Sequence, residues 1–289
     1  METKYRINWK KGLDITPEIL ISSDNFHIAE RNMLGYFLAC RIYGVLPNSN
    51  FNIESEISNQ RLTIKNLNCF ALTCDGALVC ISKNMRFQKE LALNEATGSE
   101  FYVVLTPNPA GKIPENENDP YLYPDGNLVL KKSSEKLEFG IPVLKLKNNN
   151  GWEIDENYIP PSFSLNSVEL LLKKYEETKS LVHKILDKFP ERNPFSVHFN
   201  LLRLELNDFN ANKSPEEWNL LLKKYCWFFY THLKNENKIS ENQNMKVFIE
   251  ELFNQNEIGK IFQLGLKCFE EVNSFFDAKP VEEIVEIKV

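Results

Sequence analysis

The sequence predicts an α+β protein in two parts. An antiparallel β-sandwich or barrel-like region with one packed helix spans 1–161, and an all-α helical bundle spans 162–289. Three observations carry this. Of the 11 glycines, nine lie at or before Gly151 and none follows until Gly259, so the turn-forming residues are confined to the first half. Apolar residues recur at every second position through much of that half, and at spacings of three and four in the second. Between the halves, Ile159-Pro160-Pro161 cannot continue a central strand and disfavours helix before it.

The chain has 289 residues, 43% hydrophobic and 26% charged, which is folded globular composition with enough apolar surface for a sizeable core. A formal charge of −6, divided evenly between the halves, provides no basic face for nucleic acid. Met1 to Lys10 is charged and lacks the apolar stretch of a secretory signal, and the uncharged run Asn32 to Cys40 is too short to cross a bilayer. No direct membrane insertion is expected. Six cysteines (Cys40, Cys69, Cys74, Cys80, Cys226 and Cys268) contain no CxxC pair and read as reduced, mostly buried thiols, so the expected location is cytoplasmic.

In the first half, Tyr5 to Trp9 alternates polar and apolar as a leading strand. Thr16-Pro17-Glu18 then opens a helix: a hydroxyl cap, proline at the first helical position, an acid at the positive end. Phe26, Met33, Leu34, Phe37 and Leu38 mark its apolar face, and it ends near Cys40. Strands follow around Phe51, Ile53 and Ile57, around Leu62, Ile64 and Phe70 to Leu72, and over Phe101 to Leu105. Asp75-Gly76, Asp125-Gly126 and Asn150-Gly151 read as hairpin turns, and Pro107 to Asp125, with five prolines, as a long excursion.

In the second half, Asn166 with Glu169 forms a capping box ahead of Val168, Leu172, Tyr175, Lys179, Val182, Leu186 and Phe189, a heptad seam over about three repeats. The pattern alone suits one helix of an intramolecular bundle. Pro190 and Pro194 stop that helix. Phe195 to Phe209 forms a second, apolar on much of its circumference and so expected to be buried on more than one side. Ser214-Pro215-Glu216-Glu217 opens a third with its own capping box, and its aromatic face runs through Trp218, Tyr225, Phe228 and Phe229. Met245 to Phe253 and Ile258 to Phe276 complete the helices, and Val281 to Val289 alternates as a short final strand.

No pattern of residues points to catalysis. The histidines (His27, His183, His198 and His232) fall on separate expected helices, and no HExxH, phosphate-cradling glycine loop or GxSxG occurs. Cys69, Cys74 and Cys80 are spaced too widely, and on strands, for a zinc knuckle. No enzyme, metal or cofactor is expected. The rival to a non-enzymatic scaffold is a phage-like β module on a helical stalk, binding a glycan or small ligand through Tyr121 and Tyr123.

Trp9-Lys10-Lys11-Gly12-Leu13-Asp14-Ile15-Thr16-Pro17-Glu18 resembles the opening of the TssK family, the trimeric baseplate subunit of the type VI secretion system. Trp9, Gly12 and Pro17 match its pattern. Lys11 replaces the usual acid, Asp14 stands where an apolar residue is common, and Glu18 stands for glutamine. Tyr43-Gly44-Val45 and the turn at Asp75 and Gly76 resemble further family positions, and Ile159-Pro160-Pro161 resembles the border between its β-rich shoulder and helical neck. The resemblance implies a structural protein. Its shoulder would bind other baseplate subunits, and its neck would associate as a homotrimer with the seam Val168, Leu172, Tyr175, Val182, Leu186 and Phe189 facing sister chains. Members usually continue into a head that engages the membrane complex. This chain stops about where the neck would end, which suits either a shorter lineage without the head or a sequence cut before it, and the resemblance does not extend to docking on that complex through a head.

Overall fold

The computed structural model describes residues 14–39, 42–81, 86–87, 89–94, 96–113, 123–189, 196–235 and 243–277. Tertiary contacts divide the chain into two units, Met1–Phe163 and Ser164–Val289. The expected strands at Tyr5 to Trp9 and Val281 to Val289 lie outside the described residues.

The first unit opens with α1 (Pro17–Ala39) and continues through β1 (Gly44–Val45), β2 (Asn52–Ser58), β3 (Arg61–Leu72), β4 (Leu78–Ile81), β5 (Arg86–Phe87), β6 (Glu90–Ala92), β7 (Glu100–Ile113), β8 (Tyr123–Lys132), β9 (Ile141–Asn148) and β10 (Trp152–Ile154). Two five-stranded sheets result. In one, β1, β2, β4 and β6 all pair antiparallel with the long β3. The other runs β10-β9-β7-β8-β5, antiparallel except for the parallel β5–β8 pair.

Bulges explain why the alternation changes phase. On β3 the buried residues are Leu62 and Ile64, then Leu67, Cys69 and Ala71, with Leu72 also buried at the strand's last position. The switch from even to odd numbers falls where Glu54 pairs with Asn66 but Ser55 pairs with Ile64, leaving Lys65 as the extra residue. One inserted residue turns the following side chains to the opposite face. On β9, Val143 is the extra residue between Pro142 and Leu144 opposite Val104 and Val103. Phe101 to Leu105 are all buried, so this segment of β7 is covered on both faces.

Three expectations for this unit are corrected. Asp125-Gly126 makes no hairpin turn; it pairs with Asn108 and Pro107 inside the β7–β8 ladder. The excursion from Pro107 to Asp125 is strand up to Ile113 and again from Tyr123, because prolines at 107 and 109 are accommodated near an irregular ladder end. The apolar face of α1 is also not packed as expected. Leu34 is 68% and Phe37 63% exposed, while Gly35 is buried, its Cα packed close to the Gly76 carbonyl and Leu72.

The second unit comprises α2 (Glu169–Asp187), α3 (Ser196–Asp208), α4 (Pro215–Asn235), α5 (Gln243–Glu250), a 3-10 turn at Gln255–Glu257, and α6 (Ile258–Asp277). The reciprocal capping box at α4 is present. The Ser214 amide donates to Glu217 Oε2 at 2.8 Å and the Glu217 amide to Ser214 Oγ at 3.1 Å. The box expected at Asn166 is absent. Val168 is the N-cap of α2 without a side-chain bond, and Asn166 instead joins Ser164 and Asn212 across the loops. Cations from neighbouring helices cap helix C-termini. Lys179 Nζ donates to the Phe209 carbonyl after α3 at 2.6 Å, Arg203 to the Leu186 carbonyl in α2 at 2.5 Å, and Lys223 to the Ile249 and Glu251 carbonyls at the end of α5. Each places positive charge at the negative end of a helix dipole.

Candidate functional site

Two junctions gather the sequence-marked positions of the first unit. At the turn between β3 and β4, the Gly76 amide donates to the Thr73 carbonyl at 3.0 Å with φ +85°. Asp75 Oδ1 accepts from the Gly140 amide at 3.1 Å, and the Cys74 amide donates to the Gly140 carbonyl at 3.2 Å. The turn is thereby stitched to the connection between β8 and β9. From the other side, Gly35 of α1 rests on the Gly76 carbonyl so closely that a Cβ there would overlap it. Asp75 and Gly76 therefore join a hairpin, a helix and an inter-strand connection through main-chain contacts.

At the second junction, Gly44 (φ +134°) lies against the main chain of Pro161. The Val45 amide donates to the Pro161 carbonyl at 2.7 Å, the Phe163 amide donates to the Val45 carbonyl at 3.0 Å, and Val45 bridges Ser162 in parallel. Ile159, Pro160, Pro161 and Ser162 are buried. Two motifs more than a hundred residues apart in sequence thus form one contact.

The remaining marked positions do not converge. Pro17 is the exposed first residue of α1, and Glu18 follows it, its carboxyl held below the usual range by the Thr16 hydroxyl. Trp9, Gly12 and Tyr121 lie outside the described residues, and Tyr123 begins β8. Among the described residues no three His, Cys, Asp or Glu side chains are placed to hold a metal ion. Burial pushes the Cys69 thiol up to about 12 and the Cys74 thiol up to about 11. The Cys226 thiol is raised further by its contact with Cys268 and by burial. Such thiols are poor nucleophiles. His183 is held below its usual value, first by burial and then by Lys179.

The heptad residues of α2 form the core of the second unit. Val168, Tyr175, Val182, Leu186 and Phe189 are buried and Leu172 partly so. Tyr175 meets the Trp218 ring edge-on at 4.8 Å and donates its hydroxyl to the Phe209 carbonyl at 3.0 Å. Phe189 stacks on Phe199 at 3.9 Å and touches Phe229 and Phe276. Helices of the same chain supply this burial.

An apolar surface lies elsewhere. On α3, Val197, Leu201 and Leu204 are exposed at spacings of four and three; this corrects the expectation that α3 is buried on more than one side. On α4, Leu220 and Trp227 are exposed on either side of Lys224, whose ammonium pairs with Glu205 of α3. The ion pair sets the two stripes side by side. The sequence pattern hid this surface, because a heavily apolar helix reads as core whichever side is covered.

The fold is that of solved type VI secretion proteins. The chain superposes on a chain of the TssK-TssF-TssG baseplate subcomplex of the type VI secretion system with a TM-score of 0.63 and 15% identity, covering 96% of this chain and 100% of that one. A crystal structure of TssK gives a TM-score of 0.61 at 12% identity over 94% of this chain and 72% of its own. TssK from EAEC bound to a nanobody gives 0.57 at 15% identity, over 87% and 68%. The chain has the fold of these TssK structures. No family model matches the sequence, and no curated protein matches it. No helix among the described residues is long and apolar enough to cross a membrane.

Proposed function

We propose that this chain is a structural subunit of a type VI secretion baseplate, acting without catalysis. Its β-rich unit would hold other baseplate subunits, and its helical unit would associate into a homotrimer. The observation that carries this reading is the likeness to the baseplate-subcomplex chain, which extends over 96% of this chain and so includes both units. The exposed apolar stripes on α3 and α4 agree with it, since apolar surface grouped in this way marks a protein contact. Self-association uses the outer face of α3 and α4. The heptad side chains are already buried in their own bundle, whereas that face carries Leu201, Leu204, Leu220 and Trp227 around one acid and one base, Glu205 and Lys224. The two charges already pair within the chain, so the face brings no unpaired charge into a contact between copies.

Co-expression of the tagged full chain with the TssF and TssG subunits of the same genome tests the partner assignment. Recovery of all three in one complex is the expected result; TssF and TssG assembling without the chain would overturn it. Light scattering of the purified chain tests self-association, with three times the 33.7 kDa monomer mass expected and a concentration-independent monomer opposing it.

A further inference from the structure

The β9–β10 turn carries a chemistry unrelated to baseplate assembly. Among the 33 asparagines and 11 glycines of the chain there is one Asn-Gly pair, Asn150-Gly151. It lies in the three-residue turn between Asn148 and Trp152, which pair at the end of the ladder. Asn150 and Gly151 are both exposed, and no hydrogen-bond partner among the described residues holds the Asn150 amide. Gly151 has φ +155°, and the space a Cβ would occupy there has no atom within 4 Å. With no Cβ on the residue that follows, the peptide nitrogen meets least hindrance in approaching the preceding side-chain carbonyl.

We propose that Asn150 is a site of spontaneous deamidation. The Gly151 peptide nitrogen attacks Asn150 Cγ, the C–N bond of the side-chain amide breaks, and ammonia leaves with the proton given up by the peptide nitrogen. The five-membered succinimide that results is opened by one water molecule. Attack on the side-chain carbonyl returns aspartate; attack on the main-chain carbonyl gives isoaspartate, in which the former side chain carries the backbone. The net reaction exchanges ammonia for water, involves no oxidation, and adds one negative charge to a chain already at −6.

The other two turn-type dipeptides show what protects such a pair. At Asp75-Gly76 the attacking nitrogen is committed to the Thr73 carbonyl at 3.0 Å and the side chain to the Gly140 amide at 3.1 Å, so neither reacting group is free to rotate. Asp125-Gly126 lies within the β7–β8 ladder, where extended pairing fixes the backbone. Both also offer a carboxylate, a poorer electrophile than an amide. Asn148 and Asn149 are each followed by asparagine, whose side chain crowds the attacking nitrogen. Isoaspartate would lengthen the main chain by one methylene inside the turn that sets the Asn148–Trp152 register, and would loosen β10, whose Trp152 ring packs on Phe101 at 5.3 Å.

The test incubates the purified full chain at mildly acidic and mildly alkaline pH and follows each asparagine by peptide mass spectrometry, with fragmentation that separates aspartate from isoaspartate. Conversion at Asn150 ahead of Asn148, Asn149 and every other asparagine, accelerating with alkalinity and richer in isoaspartate, is expected. Gly151→Ala should slow it by about tenfold, since a Cβ hinders the attacking nitrogen. Asn150→Gln should abolish the change in that peptide. Asn150 converting no faster than Asn149, or the same peptide changing at an unaltered rate in Asn150→Gln, would overturn the assignment.

Discussion

Gly44 lies against the main chain of Pro161, and the hydrogen bond from the adjacent Val45 amide to the Pro161 carbonyl, at 2.7 Å, locks the contact. The pairing ties the first strand after α1 to the segment that closes the β-rich unit. With φ at +134° and no room for a Cβ, the position accepts glycine alone. Gly44→Ala should therefore lower the unfolding free energy by about 1–3 kcal/mol, the range for a strained backbone position. Gly151→Ala, where the Cβ meets open space, should cost less. Urea unfolding of the two variants side by side checks this, and equal losses would show that the Pro161 contact has no special weight.

Much of this was legible in the sequence, for identifiable reasons. Thr16-Pro17-Glu18 and Ser214-Pro215-Glu216-Glu217 mark helix starts because capping depends on residues three apart, which a linear reading sees. Glycine scarcity after Gly151 follows from helix propensity. Phase shifts at Lys65 and Val143 were illegible, since a bulge on one strand is defined by its partner. The turn joining β2 to β3 was missed as well. Asn59 and Gln60 both adopt positive φ, yet Asn-Gln lacks the glycine that announces such turns. Of the site, the local motifs could be read but their meeting could not: nothing in one dimension brings Gly44 to Pro161 or Gly35 to Gly76.

The five thiols among the described residues should react in order of exposure. Cys80 is exposed on β4, Cys74 is half-buried with its thiol raised by burial, and Cys69, Cys226 and Cys268 are buried. Labelling with iodoacetamide at mildly alkaline pH, read site by site by mass spectrometry, should modify Cys80 first and Cys74 more slowly. Cys69, Cys226 and Cys268 should be labelled only after unfolding. Early labelling of Cys226 or Cys268 would mean that α4 and α6 separate in the native state.

The capping box of α4 gives a pH dependence of known sign. The Ser214 amide is the largest influence holding the Glu217 carboxyl below its ordinary value of 4.5. A carboxyl depressed in the folded state stabilises the fold fully above its unfolded-state value, and this contribution is lost as the pH falls through the lower, folded-state value. Glu217→Gln should thus destabilise the chain at neutral pH by an amount that shrinks as the pH falls below 4.5. Ser214→Ala removes the acceptor for the Glu217 amide and should cost about 0.5–2 kcal/mol. Thermal melts across the acid range check both, and a Glu217→Gln difference that grows on acidification would contradict the assigned sign.

Core and association surface in the helical unit are separable by mutation. Leu186 is fully buried, so Leu186→Ala removes packed methyl groups and leaves a cavity, at a cost of about 2–5 kcal/mol. Leu204 and Trp227 are 61% and 58% exposed within the single chain, so changing them removes little intramolecular packing. If copies meet through the outer face of α3 and α4, Leu204→Asp with Trp227→Glu should reduce the assembly to monomer. A charge placed in an apolar interface is desolvated without a partner, which drives the copies apart, and the unfolding midpoint should fall only by what association itself contributes at that concentration. Leu186→Ala should have the reverse signature: a lowered midpoint, with association retained wherever the unit remains folded. Sedimentation paired with chemical unfolding reads both quantities on each variant. An unchanged assembly in the double variant would exclude the α3–α4 face as the contact between copies. Dissociation in Leu186→Ala under conditions where the unit is still folded would return the contact to α2.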